Sequence, residues 1–351
     1  MRKQRCVPIL LGFLIATINV PGWSSGAIEA QWTLLSVALP ILLLRARVLV
    51  PPLACVAVWG LTAYGLVSLT WTVSPLDGLE RVWHLAILAC AFTWGSTLRD
   101  VRPLVLGLGA GVAVSSALAI AQLAGFDSVK TIHGPAGLFY NPVLMSEAAS
   151  IVLVACVAVR APLWALACLP AVLIGQSRIA FVALAVTGLA YMWTHRRPWF
   201  VPAAFALASG AAALILGTGK TWHLDQRVDL WLTAIVSPNN GAGSFYFLSP
   251  TGRSVHVHND YLEVWYEFGL VGITCIGLLA WSLRRARGPE LYIFETCGLV
   301  ALASFPLAQP VPAFVISCLA GWFSSQLRVA GVVSDPRGSS LPERRLPAGR
   351  Q

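Results

Sequence analysis

The run Leu262-Glu263-Val264-Trp265-Tyr266-Glu267-Phe268-Gly269-Leu270-Val271-Gly272-Ile273-Thr274-Cys275-Ile276-Gly277-Leu278-Leu279-Ala280-Trp281-Ser282-Leu283 is largely apolar and stops at Arg284, Arg285 and Arg287. Its length, about 20 residues, suits a helix crossing a hydrocarbon core of roughly 30 Å. Val257-His258-Asn259-Asp260-Tyr261 precedes it, so a histidine, an amide and three carboxylates (Asp260, Glu263 and Glu267) sit at its mouth. Ionisable groups at membrane depth are expensive, and a cluster of them marks a pathway or a site. The surroundings sharpen the contrast: 57% of the chain is hydrophobic and 11% charged, with mean hydropathy +0.73. Soluble domains carry about 25% charged residues.

Working outward from that run, the 351 residues resolve into twelve apolar stretches. They cover 8–23, 28–44, 53–71, 82–97, 103–124, 143–159, 162–176, 179–194, 199–217, 262–283, 291–307 and 311–327. Continuous apolar runs predict helices and argue against a barrel, whose strands alternate. The expected fold is all-α: a polytopic integral membrane protein of about twelve transmembrane helices. Arg2, Lys3 and Arg5, then Arg45 and Arg47, Arg99 and Arg102, Arg160, Arg196 and Arg197, and Arg284, Arg285 and Arg287 fall in alternate connections. The positive-inside rule then places both termini in the cytoplasm. No secretory cleavage site follows the first run, which reads as a span rather than a signal peptide. The transmembrane unit is expected over 1–327, with its longest outer loop at 218–261 before the histidine. The basic segment 328–351 is rich in Arg, Pro, Gly and Ser and reads as a disordered cytoplasmic tail.

Net charge +9 does not imply nucleic acid, because the cations lie in short loops between spans. The eight cysteines are scattered singly without CxxC spacing, so they read as small buried hydrophobes, with neither metal site nor disulfide framework. No HExxH spacing occurs, and metal-independent chemistry without a cofactor is expected.

On this topology few cations face outward: Arg81, Lys130, Arg178, Lys220, Arg227 and Arg253. Arg178, in Gly175-Gln176-Ser177-Arg178, is either a planar donor fork for phosphate or an arginine snorkelling to lipid headgroups. Arg227 lies in Asp225-Gln226-Arg227-Val228-Asp229-Leu230-Trp231-Leu232, a predicted short interfacial helix in which Asp225 or Asp229 offers an ion pair. Arg81 is expected to pair with Glu80 or Asp77. Asn239-Asn240-Gly241-Ala242-Gly243-Ser244-Phe245 reads as a turn and matches no phosphate-binding loop.

Imidazole is the side chain suited to proton transfer from a hydroxyl near neutral pH, which makes His258 a candidate base. Asp260, Glu263 or Glu267 would orient or charge-balance it, the two glutamates sharing one helical face. The competing reading makes Asn259 or Asp260 a helix cap and His258 an interface residue. His84, His133, His195, His223 and His256 carry no comparable constellation.

His258-Asn259-Asp260-Tyr261-Leu262-Glu263 followed by Glu267-Phe268-Gly269-Leu270-Val271-Gly272 resembles the signature of the O-antigen ligase and O-antigen polymerase superfamily. Leu69-Thr70-Trp71-Thr72-Val73-Ser74-Pro75, Gly137-Leu138-Phe139-Tyr140-Asn141-Pro142, Gln176-Ser177-Arg178, Arg227 through Trp231 and Gly241-Ala242-Gly243 are similar to its other segments, in order, from about residue 50 to 325. The resemblance implies a glycosyltransferase C-type-like helical bundle in the bacterial inner membrane, with its site facing the periplasm. It implies a donor, an undecaprenyl-diphosphate-linked glycan, and an acceptor hydroxyl on lipid A-core, another glycan or a protein. Carried over by position, Arg178 and Arg227 bind the donor diphosphate. His258 becomes the base for the acceptor hydroxyl or its positioning group, with Asn259, Asp260, Glu263 and Glu267 in support. The loop 218–261 is shorter than in many relatives, which leaves the acceptor open. A protein-targeting oligosaccharyltransferase is the neighbouring alternative. A flippase or exporter of lipid-linked glycans is the alternative from another class, against which stand the absence of an internal repeat and the gathering of charge at one face.

Overall fold

The computed structural model describes residues 3–18, 26–44, 52–126, 134–139, 141–195, 224–247, 259–283, 290–302, 304 and 306–333. Among them the chain is all-helical, with twelve α-helices and no strand. These are α1 Lys3–Thr17, α2 Gly26–Leu43, α3 Pro52–Ser68, α4 Pro75–Gly95, α5 Arg102–Leu123, α6 Pro142–Ala158, α7 Pro162–Gly175, α8 Arg178–His195, α9 Leu224–Val236, α10 Asp260–Leu283, α11 Glu290–Ala301 and α12 Pro310–Val333. Eleven coincide with expected spans, and α9 is the short helix expected around Arg227. The expected span at 199–217 and the tail from 334 onward lie outside the described residues, as do Lys130, Lys220, Arg253, His133, His223, His256 and His258.

Several boundaries follow from single residues. Proline occupies the first turn of α4, α5, α6 and α7, where its missing N–H leaves no hydrogen bond unmade. Asn141 caps α6 by accepting from the Leu144 N–H at 2.9 Å. Gln176, in the left-handed region at φ 51°, closes α7 and turns the chain into α8 within two residues. Expectation and structure part at α11, which ends at Ala301 rather than near 307. Pro306 cannot continue a helix, and a 3₁₀ turn over Pro306–Ala308 replaces it.

Small residues let the helices approach closely. Gly107 and Gly111, four apart on α5, lie against Ile9, Phe13 and Ala16 of α1, and Gly12 faces the Leu104 carbonyl in return. Gly95 of α4 abuts the Cys318 backbone of α12, while Gly321 of α12 abuts the Phe92 carbonyl, leaving no room for a Cβ at either position. Such crossings, in which backbones meet through small residues, characterise helix association in lipid.

Two helices, α5 and α10, are long and apolar enough to cross a membrane, and seven further helices are apolar over 10–17 residues. The outward faces carry Leu66, Val67, Leu166, Leu173, Leu189 and Leu270, all more than half exposed. Patches of this kind are rare on water-soluble monomers.

The α4–α12 crossing yields a direct test. Gly321→Leu should destabilise the fold by about 1–3 kcal/mol or more through overpacking, while Gly188→Leu, whose Cβ meets nothing within 4 Å, should leave it unchanged. Thermal unfolding of both variants in detergent, followed by size-exclusion chromatography, reads the difference.

Candidate functional site

α10 is not one continuous helix. Gly269 adopts φ 52° and ψ −140°, a conformation open to glycine, and the helix breaks there. The break frees the carbonyls of Trp265, Tyr266 and Glu267 from their usual partners. The loop at 239–241 takes them up: Asn239, Asn240 and Gly241 donate their N–H groups to those carbonyls at 3.4, 2.8 and 2.9 Å. The sequence reading of this stretch as a turn holds, with Asn239, Gly241 and Gly243 all at positive φ. Its role as a strap across a broken helix was not legible.

The strap is anchored on its other side too. Ser68 Oγ accepts from the Ala242 N–H at 3.0 Å, Thr72 Oγ1 donates to the Ala242 carbonyl at 2.6 Å, and Tyr64 donates to Asn239 Oδ1 at 3.0 Å. A Cβ on Gly243 would meet the Asp77 backbone at 2.5 Å, so the loop lies flat against the start of α4.

Glu267 joins loop, α10 and α4. Its Oε1 accepts from the Gly243 N–H at 2.6 Å and its Oε2 from Arg81 Nε at 3.0 Å. Arg81 Nη2 also lies 3.6 Å from Glu263 Oε2, and the guanidinium sits 5.3 Å from the Phe245 ring centre. Arg81 is 7% exposed and both glutamates 0%. The expected pairing of Arg81 with Glu80 or Asp77 is therefore corrected. Helical geometry turns Arg81 inward, where Glu263 and Glu267, on one face as expected, offer partners that water cannot screen.

The first turn of α10 forms the next part. Asn259 caps it, its Oδ1 accepting from the Leu262 N–H at 3.0 Å while its Nδ2 donates to the Leu302 carbonyl at 3.0 Å. Asp260, 1% exposed, accepts from the Leu307 N–H at 2.9 Å. The segment between α11 and α12 is thus pinned to the residues that follow His258.

A residue passed over in the sequence completes the arrangement. Glu147 of α6, 1% exposed, accepts from Ser177 Oγ at 3.1 Å, from Ser304 Oγ at 2.7 Å and from Gln309 Nε2 at 2.9 Å. The signal was present: Glu147 is the lone charge within the apolar run 143–159. Ser177 immediately precedes Arg178, the half-buried first residue of α8.

Buried polar groups therefore run from Arg81 through Glu267, Glu263 and Asp260 to the 304–309 segment, then through Glu147 to Ser177, the chain neighbour of half-buried Arg178. All lie where α4, α6, α8, α10 and α12 begin, so five positive helix ends converge on one end of the bundle. Arg227 lies on α9, which packs against the first turns of α10 through Leu230 and Ala234 beside Phe245. The structure thus gathers Asn259, Asp260, Glu263 and Glu267, and places Arg178 at the far end of the same network. His84, by contrast, stacks on Trp32, ring centres 4.1 Å apart, between α2 and α4.

Among known proteins, no family profile matches this chain and no curated sequence is detectably similar to it.

Leaving one member of a buried ion pair alone costs about 3–5 kcal/mol. Arg81→Leu should destabilise by that amount, and Arg81→Leu combined with Glu263→Gln and Glu267→Gln, which removes both stranded charges and keeps an acceptor for the Gly243 N–H, by less than the single change. Denaturant unfolding in detergent distinguishes this from a pair worth nothing, for which the single variant would match the native protein.

Proposed function

We propose that this chain is a polytopic enzyme of the bacterial inner membrane that transfers glycan from an undecaprenyl-diphosphate-linked donor to an acceptor hydroxyl at the periplasmic face. It would act as an O-antigen ligase or as an O-antigen or exopolysaccharide polymerase. The observation that carries this reading is the convergence just described. Arg178 starts one helix, the residues after His258 start another, and buried hydrogen bonds tie the two starts together. Apolar outward faces, close small-residue crossings and the unbroken 22-residue apolar helix α5 support the membrane setting.

The chemistry follows from charge. As the glycosidic bond breaks, negative charge collects on the diphosphate, and fixed guanidinium donors in a water-poor site stabilise it most. Arg178 and Arg227 are assigned this role, helped by the convergent helix ends. His258, two residues before α10, is assigned to the acceptor side, accepting or orienting the hydroxyl proton. A single displacement of this kind inverts the anomeric carbon. Asn259, Asp260, Glu263 and Glu267 support the site by holding the start of α10 in place. The acceptor is lipid A-core, a second glycan or a protein side chain; no cofactor, metal or nucleic acid enters.

One observation favours a second reading, export of the lipid-linked glycan: α10 is broken at Gly269, and discontinuous helices are common in transporters. Here, however, the break supports a polar cluster near one end of the bundle.

Purified protein in liposomes, supplied with undecaprenyl-diphosphate-linked glycan and candidate acceptors, separates the two. We expect transfer by the native protein, a loss of about 10²–10³-fold in Arg178→Ala, and a loss of about 10²–10⁴-fold in His258→Ala. Transfer that persists in both variants would remove these residues from the mechanism. Carrier movement across the bilayer without transfer would establish the exporter.

A further inference from the structure

Glu147 occupies an unusual place. A carboxylate near the start of an apolar helix accepts three hydrogen bonds from three separate elements: Ser177 ahead of α8, Ser304 after α11 and Gln309 ahead of α12. All four side chains are at most 3% exposed. Helix–helix packing does not need such a group, since the surrounding contacts are supplied by Met145, Ala148, Ile151 and Val172. A buried acid in apolar surroundings is costly unless every partner is in place.

The partners indicate what the group does. On one side, Ser177 accepts from the Ala180 N–H through its Oγ at 3.4 Å and from the Phe181 N–H through its carbonyl at 3.2 Å, so it caps α8 directly before Arg178. Its own N–H donates to Ser146 Oγ at 3.4 Å, which ties it a second time to α6. On the other side, Ser304 and Gln309 bracket the turn whose Leu307 N–H donates to Asp260. Glu147 bonds to both sides through one side chain.

We propose that Glu147 is a positioning residue for glycan transfer, holding the Arg178 end of α8 at a fixed distance from the start of α10. The inference rests on the glycan-transfer reading above. Donor and acceptor bind to different helices on that reading, so the gap between the helix starts sets the approach of the hydroxyl to the anomeric carbon. A displacement of about 1 Å at such a gap lowers turnover by about 10²-fold without removing either binding group.

The test measures two quantities on the same preparation: binding of undecaprenyl diphosphate, with stoichiometry, and glycan transfer per bound donor. Normalising to bound donor discounts any misfolded fraction, which a merely structural role would change. We expect Glu147→Leu to bind with native stoichiometry, with Kd within about threefold, and to turn over about 10²-fold more slowly per bound donor. Ser304→Ala, which cuts only the α10 side and leaves the Ser177 bond intact, should lower turnover in the same sense. Glu147→Gln, which keeps the shape and one acceptor oxygen, should fall between native and Glu147→Leu, and with Ser304→Ala it decides the question should Glu147→Leu not fold. Turnover per bound donor within about twofold of native in the folded variants overturns the proposal, as does a rise in Kd alone. A native protein that binds donor but transfers to no acceptor overturns the transfer reading itself, a result distinct from either.

Discussion

The buried contact of Arg81 with Glu267 and Glu263 is the interaction on which this end of the molecule depends. Arg81 is a buried arginine, 7% exposed. Withdrawing a guanidinium from water costs several kcal/mol, recovered only when its partners are close and themselves well bonded. Glu267 meets that condition because Gly243 occupies its second oxygen. Gly243 is available because the strap has crossed the break in α10 and taken up three freed carbonyls. The break in turn requires Gly269 in a conformation that side chains disfavour. Helix, strap and ion pair are therefore one cooperative unit. None of the three is stable alone in an apolar bundle.

How much of this was legible depends on the range of the interaction. Features set within a few residues were readable: the apolar runs, the cap at Asn259 or Asp260, the shared face of Glu263 and Glu267, and the short helix around Arg227. Features set by distant partners were not. Arg81 and Glu267 are separated by 186 positions, and nothing nearby in sequence signals their meeting. Glu80 and Asp77 were the nearer candidates, and proximity in sequence misled. The end of α11 failed for a related reason, because residues 302–307 are apolar enough to extend a helix. Asn259 and Asp260 nevertheless bind Leu302 and Leu307 in a non-helical turn.

Glu147 is the instructive case between these extremes. Its presence in an apolar run is a local signal, and the cost of burying a carboxylate says that partners must exist. Which partners they are is a tertiary fact: two serines and a glutamine that look like ordinary polar residues near helix ends. Neutral donors satisfy the acid without a counter-charge of their own, and the convergent helix starts add favourable potential.

This distribution of polar groups also explains why the cluster sits at one end rather than in the middle of the bundle. Away from the helix starts the buried polar groups among the described residues are uncharged, such as Thr187 hydrogen-bonded to Thr296, and at the far end of α4 backbones meet directly, Gly95 against Cys318 and Gly321 against Phe92. Helix starts are where N–H groups lack partners, so carboxylates and capping side chains gather there at least cost. A site made from such starts inherits the rigidity of the helices behind it. Glycan transfer as proposed above asks for fixed charges facing a diphosphate, and residues carried on helix starts are the ones held most firmly in place.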